Sequence, residues 1–511
     1  MLRRALAAVI AVLMFGCGGC RAFASDDVPK TPADLEIVAK METAKSLIPI
    51  GYFQVIVSEL QPIADGELYP RLSVGYRHDL DSMLGYAAFR LRRLPLAHAA
   101  LVRASQSPLA TNEDWSWRMH VAKLGNDFAD AFVAFKILRD RAPGFEKTLD
   151  DRSVSVLDQG FGRLPDAGAQ AEWEGYLQAS GWRPMNPMFS PDVIRLHYVL
   201  SLLDSGRKDE AAVIAETFSE PIVLSVMTAD HRFDGITGKN PARFDAAEAV
   251  QRRLAQFRRE ALDQPQSLSL QSGIASELYA LGRSDEALTI VRKALIMAQQ
   301  ASTEDRMSNP DIAGDYDHAL VQESFILFSL GRRDEALGVA AGIGGCRPCG
   351  PNTSTALLQA RWLVALGRGQ EALEHLAPIS PADLTLPASM TLAQLKVCAS
   401  ELAGDSTGRS AGMQYLRAHA GDAPTSYIRA QLCMGDVAEA AAYVRASLSD
   451  LRLRHLVLAE LQVYLPDGAP TPTEALMAAR LERLREDPDV RAAVEKVGRI
   501  QRQSIRQSDI Y

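Results

Sequence analysis

The chain has few aromatic residues, few cysteines and no surplus of basic charge. Only 7% of its 511 residues are aromatic, six are cysteine, and 55 Lys and Arg stand against 63 Asp and Glu, for a net charge of −8. Nucleic-acid-binding proteins need a basic face that displaces counterions from phosphate, so this balance argues against that class. The 47% hydrophobic content excludes wholesale disorder, because it is typical of chains that bury a core.

Recognisable catalytic and metal-binding motifs are also scarce. The nine histidines are scattered along the chain, and no HExxH pair of the helical zinc-protease type occurs. A single CxxC provides only two of the four ligands that a structural zinc site requires. The sequence therefore predicts no catalytic residue, no cofactor and no metal ligand, and we expect a protein that is not an enzyme.

The first residues are typical of an export signal. Arg3 and Arg4 precede an uncharged apolar run that ends at Phe15, and residues 22–24 (AFA) place small side chains where a signal peptidase cleaves. We therefore expect residues 1–24 to be a signal peptide, and the mature chain to be exported to the periplasm or anchored at the outer membrane.

A second form of export stays open at the same terminus. Residues 14–17 (MFGC) resemble a bacterial lipoprotein box, in which Cys17 would carry the lipid. Cleavage after Ala24 predicts a soluble mature chain, whereas lipidation of Cys17 predicts a membrane-anchored one.

One phrase recurs within the helical periodicity of the remaining chain. It is LGRSDEAL from Leu281, LGRRDEAL from Leu330 and LGRGQEAL from Leu366, with weaker copies around Gly206 and Gly435. The glycine can adopt the left-handed conformation that ends a helix, and the Asp or Ser that follows is expected to cap the next helix. The alanine should lie where two antiparallel helices approach most closely. The predicted packing residues are Gly282, Ala287, Gly331, Ala336, Gly367, Ala372, Gly435 and Ala440.

The spacing of these phrases resembles the tetratricopeptide (TPR) family. The steps from Gly331 to Gly367 and from Gly367 to Gly404 are roughly 36 residues, close to the family's unit of helix, turn and helix. The resemblance implies an all-α fold, a right-handed α-solenoid of helix–turn–helix repeats. It also implies a concave groove that holds a protein or peptide partner.

The predicted organisation follows the strength of the repeats. A TPR-like helical region is expected over 25–190, degenerate repeats and a loop over 191–265, and the best-defined array over 266–450. Residues 451–511 are expected to form a helical cap and a charged tail. Its last helix is predicted from Val490 to about Arg506, and its arginines are interpreted as a solvated face.

Four cysteines lie beyond the export signal: Cys346, Cys349, Cys398 and Cys433. An even number in an exported protein favours disulfides, with free thiols or a metal site as alternatives. Cys398 and Cys433 fall in the first helices of successive repeats. A bridge between them is feasible if their Cα atoms lie about 5.5 Å apart.

These features predict an exported TPR-like scaffold that binds a protein or peptide partner in the cell envelope without catalysing a reaction. One alternative is a periplasmic enzyme with its site in the irregular segments 230–240 or 346–349. The other is a lipid-anchored outer-membrane assembly factor, which depends on Cys17.

Overall fold

The chain folds into α-helices joined by turns and short irregular segments. The computed structural model describes residues 32–166, 168–186, 189–300, 310–343, 353–381, 384–466, 468 and 470–507. Within these ranges there are 26 α-helices and no strand longer than an isolated bridge. No helix in these ranges is long and apolar enough to cross a bilayer. The predicted all-α fold is confirmed, and successive helices pack as hairpins. The chain divides into two compact units, Met1–Met185 and Asn186–Tyr511.

Unit 1 contains four successive helix pairs, and the two helices of each pair pack against each other. Its helices are α1 (Pro32–Leu47), α2 (Phe53–Ala64), α3 (Val74–Arg90), α4 (Leu94–Gln106), α5 (Asn112–Leu124), α6 (Phe128–Arg141), α7 (Asp151–Phe161) and α8 (Ala169–Ser180).

Small residues let the helices of unit 1 approach closely. Gly85 of α3 faces Leu101 of α4, and a Cβ at this glycine would lie 2.6 Å from the leucine Cγ. Ala88 and Ala97, from the same two helices, are fully buried. Side chains of this size fill the interface between antiparallel helices at interior density, so the hairpin cannot accept a larger residue without moving apart.

Unit 2 contains the remaining helices. They are α9 (Asp192–Asp204), α10 (Lys208–Ala215), α11 (Pro221–Ala229), α12 (Asp234–Thr237), α13 (Ala246–Asp263), α14 (Leu268–Ala280), α15 (Ser284–Gln300), α16 (Pro310–Ser329), α17 (Arg333–Gly342), α18 (Thr353–Ala365), α19 (Gly369–Leu376), α20 (Leu386–Ala403), α21 (Ser406–Ala418), α22 (Pro424–Met434), α23 (Val437–Ser449), α24 (Arg454–Glu460), α25 (Pro472–Glu486) and α26 (Pro488–Val497).

Copies of the recurrent phrase form hairpin turns in unit 2. Gly282, Gly331, Gly367 and Gly435 adopt φ angles of +76°, +77°, +75° and +83°, the left-handed region that glycine enters without strain. The alanines five residues later are fully buried between the paired helices; they are Ala287, Ala336, Ala372 and Ala440.

The start of the second helix differs from the expectation. In the three strongest copies the N-cap residue is an arginine whose side chain does not cap the helix, so the expected cap by Asp or Ser is wrong there. Instead Arg283 donates two hydrogen bonds to the carboxylate of Glu286, at 2.7 and 2.6 Å. The arginine is the residue directly after the turn glycine, and its guanidinium forks onto the glutamate three positions further on. The expected cap does form at Asp436, which accepts from the Glu439 N–H.

The end of the chain also differs from the expectation. The last helix stops at Val497, and residues 498–506 continue in a largely extended form rather than as a helix. Main-chain hydrogen bonds pair this segment with residues 463–465; the Gln503 N–H, for example, donates to the Val463 carbonyl at 2.8 Å. Ile505 is buried, so this segment is part of the packed unit.

Candidate functional site: a groove beside helix α25

A groove of about 540 Å³ lies in unit 2 between the first helices of its hairpins and helix α25. We call it the central groove. Its walls are formed by side chains of α16, α18, α20 and α22, with Tyr279 of α14 and five residues of α25 between Thr473 and Arg480. This volume is in the range of pockets that bind small molecules or several peptide side chains.

Stacked aromatic side chains form one wall of the central groove. The rings of Phe328 and Trp362 are stacked with their centroids 4.1 Å apart, and Phe325 meets Trp362 edge-on at 4.7 Å. The indole N–H of Trp362 donates to the Ser324 hydroxyl at 2.9 Å, which fixes the orientation of the ring. The Arg361 guanidinium lies 5.0 Å from the centroid of Phe325. This wall is therefore rigid, apolar and bordered by a cation.

Other side chains that line the groove are aliphatic and partly open to solvent. Leu402 of α20 and Leu476 of α25 are 40% and 46% exposed to solvent, although both are large apolar side chains. Leu395 and Met477 lie deeper in the same surface. A concave surface that leaves apolar side chains in contact with water gains free energy when a partner covers it.

Charges of both signs border the groove and largely offset each other. They are Arg361, Glu401, Glu474 and Arg480. Glu401 is paired with Arg409 of α21. Glu474 accepts the Thr471 N–H at 2.8 Å, as part of the capping box that starts α25. A groove with this balance favours a ligand without a large net charge.

A disulfide lies in the wall of the groove. It joins Cys398 of α20 to Cys433 of α22, whose Cα atoms are 5.3 Å apart and which are separated by 35 positions in the sequence. The two helices are the first helices of adjacent hairpins. The bond therefore links two hairpins directly beside the aromatic wall.

Helix α25 and residues near it in the C-terminal part of the chain bond to the ends of other helices. The Thr471 hydroxyl donates to the carbonyl of Ala365 at the end of α18, at 2.6 Å. The Arg506 N–H donates to the carbonyl of Ala280 at the end of α14, at 2.8 Å. The last carbonyls of a helix have no partner within the helix, so these donors satisfy groups that would otherwise require water.

Arg480 makes the same type of contact from within α25. Its guanidinium donates to the carbonyls of Leu432 and Cys433 at 2.7 and 2.6 Å, directly above the turn at Gly435. Arg485 donates to two carbonyls beyond α24 in the same way. The interpretation of these arginines as a solvated face is therefore wrong, because their charges lie at the negative ends of helices.

Several predicted residues lie outside the described ranges or outside the groove. Cys17, Cys346 and Cys349 are outside the described residues, as is the whole segment 1–24. In the segment 230–240, the Asp230 carboxylate is fully buried and bonded to Arg232, which also pairs with Asp204. These three residues hold the packing of the segment, while His231 is exposed beside them.

One motif was missed by the sequence analysis. Residues 408–412 (GRSAG) match the GxSxG pattern in which some hydrolases carry a nucleophilic serine. That chemistry requires the serine at a sharp turn between a strand and a helix. Ser410 instead lies inside α21, is exposed, and donates to the Ser406 carbonyl at 2.8 Å. It is an ordinary helical serine.

A buried histidine elsewhere in unit 2 couples folding to pH. His455 of α24 is buried, its ring centroid lies 5.2 Å from that of His197, and neither of its ring nitrogens has a hydrogen-bond partner among the described residues. Burial, followed by the nearby His197 and Arg232, holds the pKa of His455 well below its usual value of 6.5. The unfolded chain therefore binds a proton near pH 6.5 that the folded chain does not.

We expect the free energy of unfolding to fall as the pH drops below 6.5, by up to about 1.4 kcal/mol per pH unit for this one group. His455→Leu should flatten that fall, because leucine takes no proton. Urea unfolding at pH 7 and pH 5 measures the difference. His375→Leu, at an exposed position of α19, is the matched control. An equal pH dependence in both variants would contradict the assignment to His455.

Comparisons with known proteins give weak similarity. No protein-family model and no curated protein matches the chain. Among solved structures, it is similar to a Rap protein complexed with competence and sporulation factor, at 11% identity and a TM-score of 0.30, covering 90% of this chain and 99% of that one. It is also similar to the APC/C hetero-tetramer Cut9–Hcn1 at 13% identity and a TM-score of 0.29, covering 88% and 91% of the two chains. Yeast Tom70 matches at 11% identity and a TM-score of 0.22, covering 91% and 100%. Because these identities and TM-scores are low, the description of the fold rests on the helices of the chain itself and not on these similarities.

Proposed function

We propose that the protein is a non-catalytic helical-repeat scaffold whose central groove binds a peptide segment of a protein partner. The observation that carries this proposal is the groove itself, a space of about 540 Å³ that is lined by a fixed aromatic wall and by half-exposed leucines. Aromatic rings held rigid before binding lose little entropy when a ligand packs on them.

The chemistry of the groove favours a mixed, largely apolar peptide. Leu402 and Leu476 offer aliphatic surface, and Trp362 offers a ring face. Arg361 and Glu401 lie beside these surfaces and can orient main-chain or side-chain polar groups of a peptide. A highly charged ligand of either sign would be repelled by groove residues that carry the same sign of charge.

We also propose that the mature protein functions outside the cytoplasm. Two features support export: the signal-like pattern of residues 1–24 and the disulfide between Cys398 and Cys433, since structural disulfides persist in oxidising compartments. The intact mass of the protein purified from its native cells tests this proposal. A chain beginning at Ser25 is expected. A lipidated chain beginning at Cys17 would instead support the anchored form, and a chain that keeps Met1 would contradict export.

A photo-crosslinking amino acid placed in the groove tests partner binding. We expect a crosslinker at Gln394 or Leu476 to capture a discrete partner protein in native cells, because both side chains line the groove. The matched control is Val213 of α10, which is 70% exposed and lies outside the groove. Leu476→Asp should abolish capture from Gln394 without lowering the melting temperature. Equal labelling from all three positions would contradict a site in the groove.

A further inference from the structure

A continuous series of aromatic rings lies on unit 1. The proposed function of the central groove does not involve these rings. Phe53 meets Tyr86 at 5.8 Å between centroids, Tyr86 meets Trp117 at 5.0 Å, and Phe89 meets Trp117 at 5.3 Å. The series ends at His120, 5.2 Å from Phe89. It crosses helices α2, α3 and α5, and each ring is only partly buried. We call it the aromatic ladder.

Three exposed arginines stand at one end of the ladder, at the turn between α3 and α4. The Arg90 guanidinium donates to the Tyr86 hydroxyl at 2.7 Å, and Arg93 donates to the neutral side chain of Gln54 at 3.3 Å. Arg92 is exposed as well. Within the described part of the chain, none of the three guanidinium groups forms an ion pair. Most other arginines at hairpin turns do, as Arg283 does with Glu286.

The backbone of Arg92 makes its position unusual. Its φ is +58°, in the left-handed region where residues other than glycine, asparagine and aspartate are rare. The corresponding turns of unit 1 use Gly51 and Asn126, at +79° and +59°. Because glycine would adopt this conformation without strain, the turn itself does not require an arginine. Backbone strain of this kind indicates a functional role when the strained residue also carries a charged side chain that forms no ion pair.

His120, at the far end of the ladder, carries no charge at neutral pH. Burial, with a smaller effect of the neighbouring Lys123, lowers the pKa of His120 to about 4. The Lys123 ammonium is itself buried and bonded to Ser153. The Glu113 carboxylate accepts from the indole N–H of Trp117 at 3.3 Å. The ladder is therefore polar in charge, with the three arginines at the Arg90 end and a carboxylate beside Trp117.

We propose that the aromatic ladder and its three arginines form a second docking site, for a partner segment that carries carboxylates next to proline or aliphatic side chains. Guanidinium groups bind carboxylates through paired, charge-assisted hydrogen bonds. Partly exposed aromatic rings bind proline and aliphatic side chains along the faces that solvent reaches. Charge complementarity fixes the polarity of the segment, with its acidic end at Arg90, Arg92 and Arg93. This site is independent of the central groove.

Fluorescence polarisation on the full chain tests the site. The probe is a labelled twelve-residue peptide with three copies of Asp-Pro-Leu-Asp, and its partner peptide has Asn at every Asp. We expect the acidic peptide to bind at least about tenfold more tightly than the Asn peptide at about 150 mM salt. The reason is that the Asn peptide cannot form charge-assisted hydrogen bonds with the arginines. Trp117→Ala should weaken binding at least tenfold, while Trp117→Phe, which keeps a ring, should stay within about threefold.

Arg92→Gly separates binding from folding. It relieves the left-handed backbone and removes one cation, so the melting temperature should rise while affinity for the acidic peptide falls several-fold. Arg207→Gln, at an exposed turn of unit 2, should leave the affinity unchanged. Equal binding of the two peptides, no binding at 1 mM, or tighter binding of a twelve-nucleotide oligothymidine would each overturn the proposal. None of these outcomes would bear on the central groove.

Discussion

Ala287→Trp is expected to lower the melting temperature of unit 2 sharply. Ala287 is fully buried between α14 and α15, in one cluster with Ala275 and Leu278 of α14 and Val291 of α15. An indole has no space there without separating the two helices. Overpacking in a dense core costs about 1–3 kcal/mol, and a change from the smallest side chain to the largest should reach the upper end of that range.

The matched control is Ile296→Trp on the same helix. Ile296 is 52% exposed, so the same indole can lie on the surface. Differential scanning calorimetry should show a large decrease for Ala287→Trp and little change for the control. Hydrogen exchange should show that α14 to α17 lose protection first, since each hairpin is stabilised mainly by its neighbours. Equal melting of the two variants would mean that Ala287 is not at the closest approach of the helices.

The hairpins of unit 2 could be predicted because their signals are local. The left-handed glycine at Gly282 and the buried alanine at Ala287 are five positions apart, and both follow from the geometry of one turn. The same reasoning failed at the start of the second helix. Arg283 and Glu286 satisfy each other across three positions there, which a search for capping residues does not detect.

The groove could not be predicted, because contacts between distant parts of the chain create it. Thr471 and Ala365 are 106 positions apart, and Arg480 and Cys433 are 47 apart. The basic content of the last forty residues indicates a helix that carries arginines. It does not indicate that the acceptors are main-chain carbonyls of earlier helices. Trp362 lies on α18, and only the position of α25 makes this part of α18 the wall of a groove.

Removing the disulfide between Cys398 and Cys433 is expected to destabilise unit 2 more than any single substitution at its surface. The bond closes a loop of 35 positions that contains all of α21, so its loss frees that loop in the unfolded chain. The chain-entropy relation gives a cost between 3 and 4 kcal/mol, to order of magnitude. The double variant Cys398→Ala, Cys433→Ala should therefore have a lower guanidinium midpoint than the oxidised protein.

A reducing agent separates the crosslink from side-chain packing. Reduction of the native protein should lower the midpoint by nearly the same amount as the double variant, and it should not change the variant further. A partner bound to the oxidised form would add its own stabilisation, so the measurement is made on the purified protein alone. Because the bond joins α20 to α22 in the wall of the groove, reduction should also lower photo-crosslinking from Gln394. A midpoint that does not respond to reduction would contradict both the bond and the support it gives to export.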